Sequence, residues 1–467
     1  MWKGFNLKFF NYSHLFRKFL ITLYLGIFTT VLFYSDFPLP HGDDLFFAGT
    51  SVHYAETGNF LNPGVYDYTM QFSEIQKPYW FVPLHMRLLG LWLSYTDISD
   101  ASIRIYVLLC IIITSYLLIK WLEISKNQSI LIPFLIPIIT AFSFRWSLRP
   151  ECTAIPLLVT SLFLLFNYNN RWPQFFALIF LGLSTLSTQI ILLLCTPLIC
   201  VIAYLNYANS NFRVFAINLI SAIILCSFIF LLCIDFEINQ FCRMFLDHVS
   251  ARTSSILANF NLFYFLCVEL GNGMFLRLPS FLLLFFIFIK KPYLNSNIKL
   301  YGIALVIGLL ISISVYAKSF EVILFFSSFI TIIYCFHSLY NPKFVLCIIA
   351  CLCTIRQGGH LLIYNAFCER SYSSIDHPLD INQTHIIDEY TIRKPLDWNF
   401  PKKWKIAPDF YTTDSRLLNK PPSETWIISQ KNLSYFYPSL HQQEKVSFGN
   451  KKFHNLPLRF WEYQIIQ

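Results

Sequence analysis

The chain has 467 residues, 55% of them hydrophobic and 18% aromatic, with a net charge of +9. Only 13% of its residues are charged, against roughly 25% in ordinary soluble domains. That composition excludes a soluble or disordered chain and points to a polytopic membrane protein. The charge is spread without a Lys/Arg run, so no nucleic-acid partner is expected.

A membrane span needs about 20 apolar residues. On that basis about eleven spans (range roughly 9–13) are predicted, near residues 16–35, 103–122, 129–144, 150–167, 172–188, 190–207, 213–234, 274–289, 300–316, 320–337 and 343–365. The first apolar run, Phe16 to Phe33, is too long for a signal peptide and lacks a small-residue cleavage site, so it is expected to remain as a span. With the N-terminus inside, the short inner loops collect Lys3, Arg17, Lys120, Lys126, Arg171, Arg213, Lys290 and Lys343, as the positive-inside rule asks.

The first external loop is predicted at 36–102. It opens with the breaker Pro38-Leu-Pro40 and then Asp43 and Asp44, an acidic pair placed just past the first span. An Asp at the centre of a span costs about 2.5–3.5 kcal/mol on insertion scales, and this position avoids that cost. Further along, Trp80 to Tyr95 is apolar but contains Pro83, His85 and Arg87. Counting it as a span would move Lys290 and Lys291 outside, so it is expected to lie along the outer interface with Trp and Arg at headgroup level.

Lys77, Arg104, Arg145, Arg149, Arg243, Arg252, Arg277 and Lys318 all fall at or near outer span ends. Taken singly, each fits a snorkelling side chain. Together with the Asp pair they suit a lipid-linked phosphate. His41, Asp43, Asp44 and His53 offer oxygen and nitrogen ligands, so a divalent metal is compatible but not required, and surface histidines are the plainer reading.

Composition shifts at residue 368. Long apolar runs stop, and 368–467 is predicted to be a small extracytoplasmic α/β cap, with a strand at Glu424-Thr-Trp-Ile-Ile-Ser-Gln and a short helix or turn at Asn432-Leu-Ser-Tyr-Phe-Tyr-Pro. The 13 cysteines lie mostly in apolar runs, where cysteine behaves as a small hydrophobe. None falls between Glu369 and Gln467, so the tail has no disulfide framework.

The order of motifs resembles the GT-C membrane glycosyltransferases that use polyprenyl-phosphate sugars, in the branch of lipid A aminoarabinose transferases and protein O-mannosyltransferase-like proteins. The resemblance rests on Asp43-Asp44 followed by a helix ending at Gly58, on Lys77-Pro78-Tyr79-Trp80, on Ser102-Ile-Arg104, on Arg149-Pro150-Glu151 and on Lys318-Ser-Phe320. Residues 16–170 carry most of it, with a weaker echo to about 340. The chain departs from the pattern in having Asp-Asp for Asp-Glu, Tyr79 for a second proline, Arg-Pro-Glu for Arg-Pro-Asp, and Gln189 where a Lys often stands.

The resemblance implies a GT-C-like transmembrane domain at 1–367 in a bacterial inner membrane, N-terminus cytoplasmic. It implies transfer, with inversion, of a sugar from a polyprenyl-phosphate donor to a hydroxyl of a lipid, glycan or protein acceptor on the outer face. Asp43 would be the general base, with Asp44 positioning it or holding a metal, and Lys77, Arg104, Arg149 and Lys318 would be candidate phosphate ligands. Three other readings stay open. A flippase or transporter would need ionisable residues at mid-membrane depth, and these spans have almost none. A polymerase or ligase usually lacks the Asp pair, and a non-catalytic scaffold predicts no cost for losing Asp43.

Overall fold

The structure is a computed structural model and describes residues 6–34, 44–62, 77–124, 132–143, 149–168 and 170–253. It also describes single positions among 300–308, residue 351, and the strand segments 384–388, 404–407, 424–429 and 463–466. The described residues are mostly helical. In chain order they form α1 (Asn6–Tyr34), α2 (Asp44–Thr57), α3 (Leu84–Tyr95), α4 (Asp100–Ile124), α5 (Ile132–Ser143), α6 (Glu151–Asn167), α7 (Arg171–Ser187), α8 (Ile190–Ala208), α9 (Phe212–Cys233) and α10 (Ile238–Thr253).

Among the described residues, three stretches are long and apolar enough to cross a membrane: Ala101–Trp121 in α4, Ile191–Ala208 in α8 and Phe212–Cys233 in α9. Phe19–Tyr34 and Glu151–Leu165 are shorter apolar helices. From α4 to α9 the helix ends fall within a few residues of the predicted span ends, because polar residues punctuate the apolar runs there. The later predicted spans, from 274 to 365, lie outside the described residues apart from isolated positions.

Hydrogen bonds define two ends of the bundle. At one end, Arg104 near the start of α4 donates to the Phe33 carbonyl at the close of α1 (3.0 Å), and Ser184 late in α7 donates to Ala154 early in α6 (2.7 Å). Arg87 of α3 bonds the Cys233 carbonyl at the close of α9 (3.1 Å). At the other end, Asn218 of α9 donates to Gln174 of α7 (3.1 Å), and Gln174 donates to Asn206 of α8 (3.3 Å). Consecutive bundle helices therefore alternate in direction, while α2, α3 and the first turns of α10 sit at the first end.

Between the ends, several hydroxyls are satisfied within their own helix. Thr114, Thr140 and Thr160 donate back to the carbonyls of Cys110, Ile136 and Pro156, four residues earlier, so a hydroxyl sits in an apolar layer without an orphan proton.

At the first end, α2 and α3 form a closely packed pair. Ser51 donates to the Met86 carbonyl across the pair (3.0 Å). A Cβ at Gly90 would lie 2.7 Å from Tyr54 Cδ1 and 3.0 Å from the Ser51 carbonyl oxygen, so only glycine allows this approach. The pair rests on an apolar cluster of Phe47, Phe60, Tyr79, Val82, Met86, Ile234 and Phe241.

The segment expected to lie flat at the interface is organised differently. Its helix, α3, has 12 residues, about 18 Å at 1.5 Å per residue, too short to cross. Yet Trp80, His85 and Arg87 are buried within the protein. A protein carbonyl and a carboxylate satisfy Arg87 there.

In the tail, β1 (Thr384–Asp388), β2 (Trp404–Ala407), β3 (Glu424–Ser429) and β4 (Tyr463–Ile466) form one sheet in the order β2-β1-β3-β4. β1 runs parallel to both β2 and β3, while β3 and β4 are antiparallel. The strand expected at 424–430 is β3. The helix or turn expected after Asn432 lies outside the described residues.

Candidate functional site

Two polar groupings stand side by side at the first end of the bundle. The first joins three helices through hydroxyl and imidazole groups. His85 of α3 is fully buried, with Nδ1 2.8 Å from the Thr153 hydroxyl of α6, and that hydroxyl is 2.6 Å from the phenol of Tyr106 on α4. Two polarities give each contact a donor and an acceptor: Tyr106 donates to Thr153 and Thr153 to His85 Nδ1, or His85 Nδ1–H donates to Thr153 and Thr153 to Tyr106.

Two residues before Thr153, at the start of α6, Glu151 forms an ion pair with Arg149 at 3.7 Å. Both side chains are largely buried. Phe47, one turn into α2, packs its ring edge-on to His85 at 6.2 Å between centroids. The backbone thus starts α2, at Asp44, within a turn of the His85 contact. Arg104 completes this side, with its guanidinium over the Phe33 ring at 5.4 Å.

The second grouping is a charge cluster. Arg87 Nη2 bonds Asp235 at 2.7 Å, and its guanidinium lies 4.1 Å from the Phe60 ring and 4.7 Å from the Tyr54 ring. Lys77 makes ion pairs with Glu237 (2.5 Å) and Asp235 (3.7 Å). The Tyr79 hydroxyl donates to the Ile234 carbonyl (2.8 Å) and approaches Glu237 at 3.1 Å.

Asp235 and Phe236, with φ of 51° and 59°, hold the left-handed conformation, which costs a non-glycine residue roughly 1–2 kcal/mol. The cations from the first loop stabilise that turn. Burial, and then the neighbouring Glu237 carboxylate, raise the Tyr79 pKa far above the usual phenol range, so it remains a donor at every physiological pH.

No family model, curated protein or solved structure matches this chain. Its functional reading therefore rests on its own residues.

The structure brings Lys77, Arg104, Arg149 and the start of α2 to one end of the bundle. Asp43 and Lys318 lie outside the described residues. Asp44 is the first residue of α2. Lys77 is engaged with Asp235 and Glu237, so as a phosphate ligand it would have to leave both carboxylates. Arg149 stands beside Glu151, with which it forms an ion pair. Among the described residues no cluster of three His, Cys, Asp or Glu side chains is arranged to hold a metal. His53 is lowered in pKa by burial, partly opposed by Glu56.

Sequence reasoning named His85 and Arg87 as misfits in an apolar helix, with Arg87 at headgroup level, quoted Tyr79 only within a motif, and missed Tyr106, Thr153, Asp235 and Glu237. The signal for the first two was the cost of carrying an imidazole and a guanidinium in such a segment, which demands partners. The partners themselves come from as far as 148 residues along the chain, which no local pattern reveals.

Proposed function

We propose that this chain is an integral membrane glycosyltransferase, moving a sugar from a polyprenyl-phosphate donor to an acceptor hydroxyl at the end of the bundle that carries α2 and α3. The observation that supports the reading is the approach of the first turn of α2, which begins at Asp44 directly after Asp43, to the buried His85–Thr153–Tyr106 chain, with Arg104 two residues before Tyr106 and Arg149 four before Thr153. Cations and a carboxylate beside a water-poor cleft are what this chemistry requires.

In the step, the acceptor oxygen attacks the anomeric carbon as the bond from that carbon to the phosphate oxygen breaks, inverting the centre. Asp43 takes the hydroxyl proton, and the polyprenyl phosphate leaves with the bonding electrons. A positioned base contributes typically 10²–10⁴-fold, and fixed cations facing the departing phosphate contribute at least as much. Arg104 and Arg149 are assigned to that phosphate, with Lys318 as a further ligand from the motif. Asp44 positions the base, and any divalent metal would be held there.

The fold that goes with this reading has about eleven spans, an N-terminus on the cytoplasmic side of a bacterial inner membrane, and residues 368–467 as an extracytoplasmic α/β cap. The test is turnover by the purified protein in bilayers supplied with polyprenyl-phosphate sugars. Asp43→Asn is expected to abolish transfer, with protein yield and thermal stability unchanged. Equal turnover by Asp43→Asn would reject the base, and absence of turnover in the wild type across a panel of donors and acceptors would reject the reaction class.

A further inference from the structure

We propose that α10 lies in the membrane interface, with the stripe Ile238, Cys242 and Leu246 seated on lipid. The argument starts from the helix's own periodicity. Over its first nine residues, Ile238–Leu246, at 3.6 residues per turn, Met244, Phe241, Phe245, Ile238, Cys242 and Leu246 follow one another around an apolar arc of about 200°, and Asn239, Arg243 and Gln240 occupy the opposite side. Protein covers only half of that arc. Phe241 is buried, stacking on Phe245 and lying edge-on to Phe230 at 4.9 Å and Tyr79 at 5.8 Å. The other half is bare: Ile238 is 48% exposed, Leu246 62%, and Cys242 is exposed between them.

What covers the bare half is indicated by α9, which is long and apolar enough to cross a membrane. Its outward apolar positions, Ile224 (65% exposed), Phe228 (53%) and Leu232 (49%), recur every four residues up to its end. Phe236, in the turn that follows, is 59% exposed, and the bare stripe of α10 begins two residues later at Ile238. One apolar surface thus runs off the crossing helix, through the left-handed turn and onto α10. A bilayer touching α9 extends onto that stripe, and the polar arc with Arg243 then meets headgroups and water. In this arrangement the aromatic face of α10 ties the Tyr79–Phe60 cluster, and with it the α2–α3 pair, to the bilayer surface.

The experiment places a diazirine-bearing amino acid singly at 238, 246, 239 and 243, in the full-length protein in lipid nanodiscs, and identifies photoproducts by mass spectrometry. All four side chains are exposed, so none of the replacements disturbs packing. Acyl-chain adducts should exceed water adducts at 238 and 246, and the reverse should hold at 239 and 243. Water adducts predominating at all four positions would overturn the assignment. So would cross-links from 238 or 246 to another segment of the chain or to a second copy. The outcome is independent of glycosyl transfer, because it reads only where α10 sits.

Discussion

The bundle interior and its α2–α3 end solve the same problem in opposite ways. Inside, threonine hydroxyls such as those of Thr114, Thr140 and Thr160 turn back on their own helices, and small residues allow close contacts between helices. A Cβ at Gly182 of α7 would collide with Cys226 of α9. At the α2–α3 end, polar groups reach across helices and are satisfied at long range: Arg87 by Asp235, Tyr79 by Ile234, His85 by Thr153. The interior is specified by shape and the end by charge and hydrogen bonding. Substitutions should therefore fail for different reasons in the two regions.

The largest effect is expected at Arg87. Arg87→Leu removes the nearer partner of Asp235 and the partner of the Cys233 carbonyl, leaving Lys77 as the cation on the αL turn. Breaking a buried pair typically costs about 3–5 kcal/mol, and the 42% exposure of Asp235 places this one near the lower figure, about 3 kcal/mol. Thermal unfolding in detergent should show a drop of several degrees, and the double variant with Asp235→Leu should recover part of it. A single variant as stable as wild type would show that the charge cluster is dispensable.

Gly90→Ala comes next, as a shape defect placed in the charged region. The new methyl meets Tyr54 and the Ser51 carbonyl. Overpacking of this kind costs about 1–3 kcal/mol, partly offset by alanine's better helix propensity of about 1 kcal/mol. Protease sensitivity of the α2–α3 pair should rise while the α7–α9 contact is untouched. Tyr79→Phe should cost about 1–2 kcal/mol, since it strips the donor from a buried carbonyl without changing volume, and differential scanning fluorimetry measures it.

The smallest effect is a pH effect at the start of α4. Ser99 caps that helix by accepting the Ser102 N–H (3.2 Å), and the Ser102 hydroxyl donates to Asp97. Hydrogen bonds from Ser102, and then from Ser99, hold the Asp97 pKa below the ordinary carboxylate value. Its contribution is thus present above the ordinary carboxylate range and lost as pH falls through its own lowered pKa. Hydrogen exchange at the first turn of α4 should accelerate at acid pH, and Asp97→Asn should remove most of that pH dependence.

The bundle was legible in the sequence because its rules are local. Apolar runs about 20 residues long, interrupted by groups such as Asn167–Arg171 and Asn209–Arg213, set the ends of α6 through α9 to within a few residues. The α2–α3 end was legible only in outline. Gly58 signalled where α2 stops, and its φ of +74° and its N–H bond to Tyr54 (2.9 Å) give the reason. The pairing of Arg87 with Asp235 was not legible, because the two are brought together only by the whole bundle. The ion pairs of Lys77 with Glu237 and Asp235 were not legible, because nothing in its neighbourhood in the sequence reveals those carboxylates.

The central claim, sugar transfer at this end of the bundle, is tested most directly in cells that carry either the wild-type gene or the Asp43→Asn allele. Mass spectrometry would compare their extracted glycolipid and glycoprotein pools. The account predicts one glycosylated species that is present with wild type and absent with the variant, accompanied by accumulation of the unmodified acceptor. Identical pools, with both proteins present at equal levels in the membrane, would contradict it.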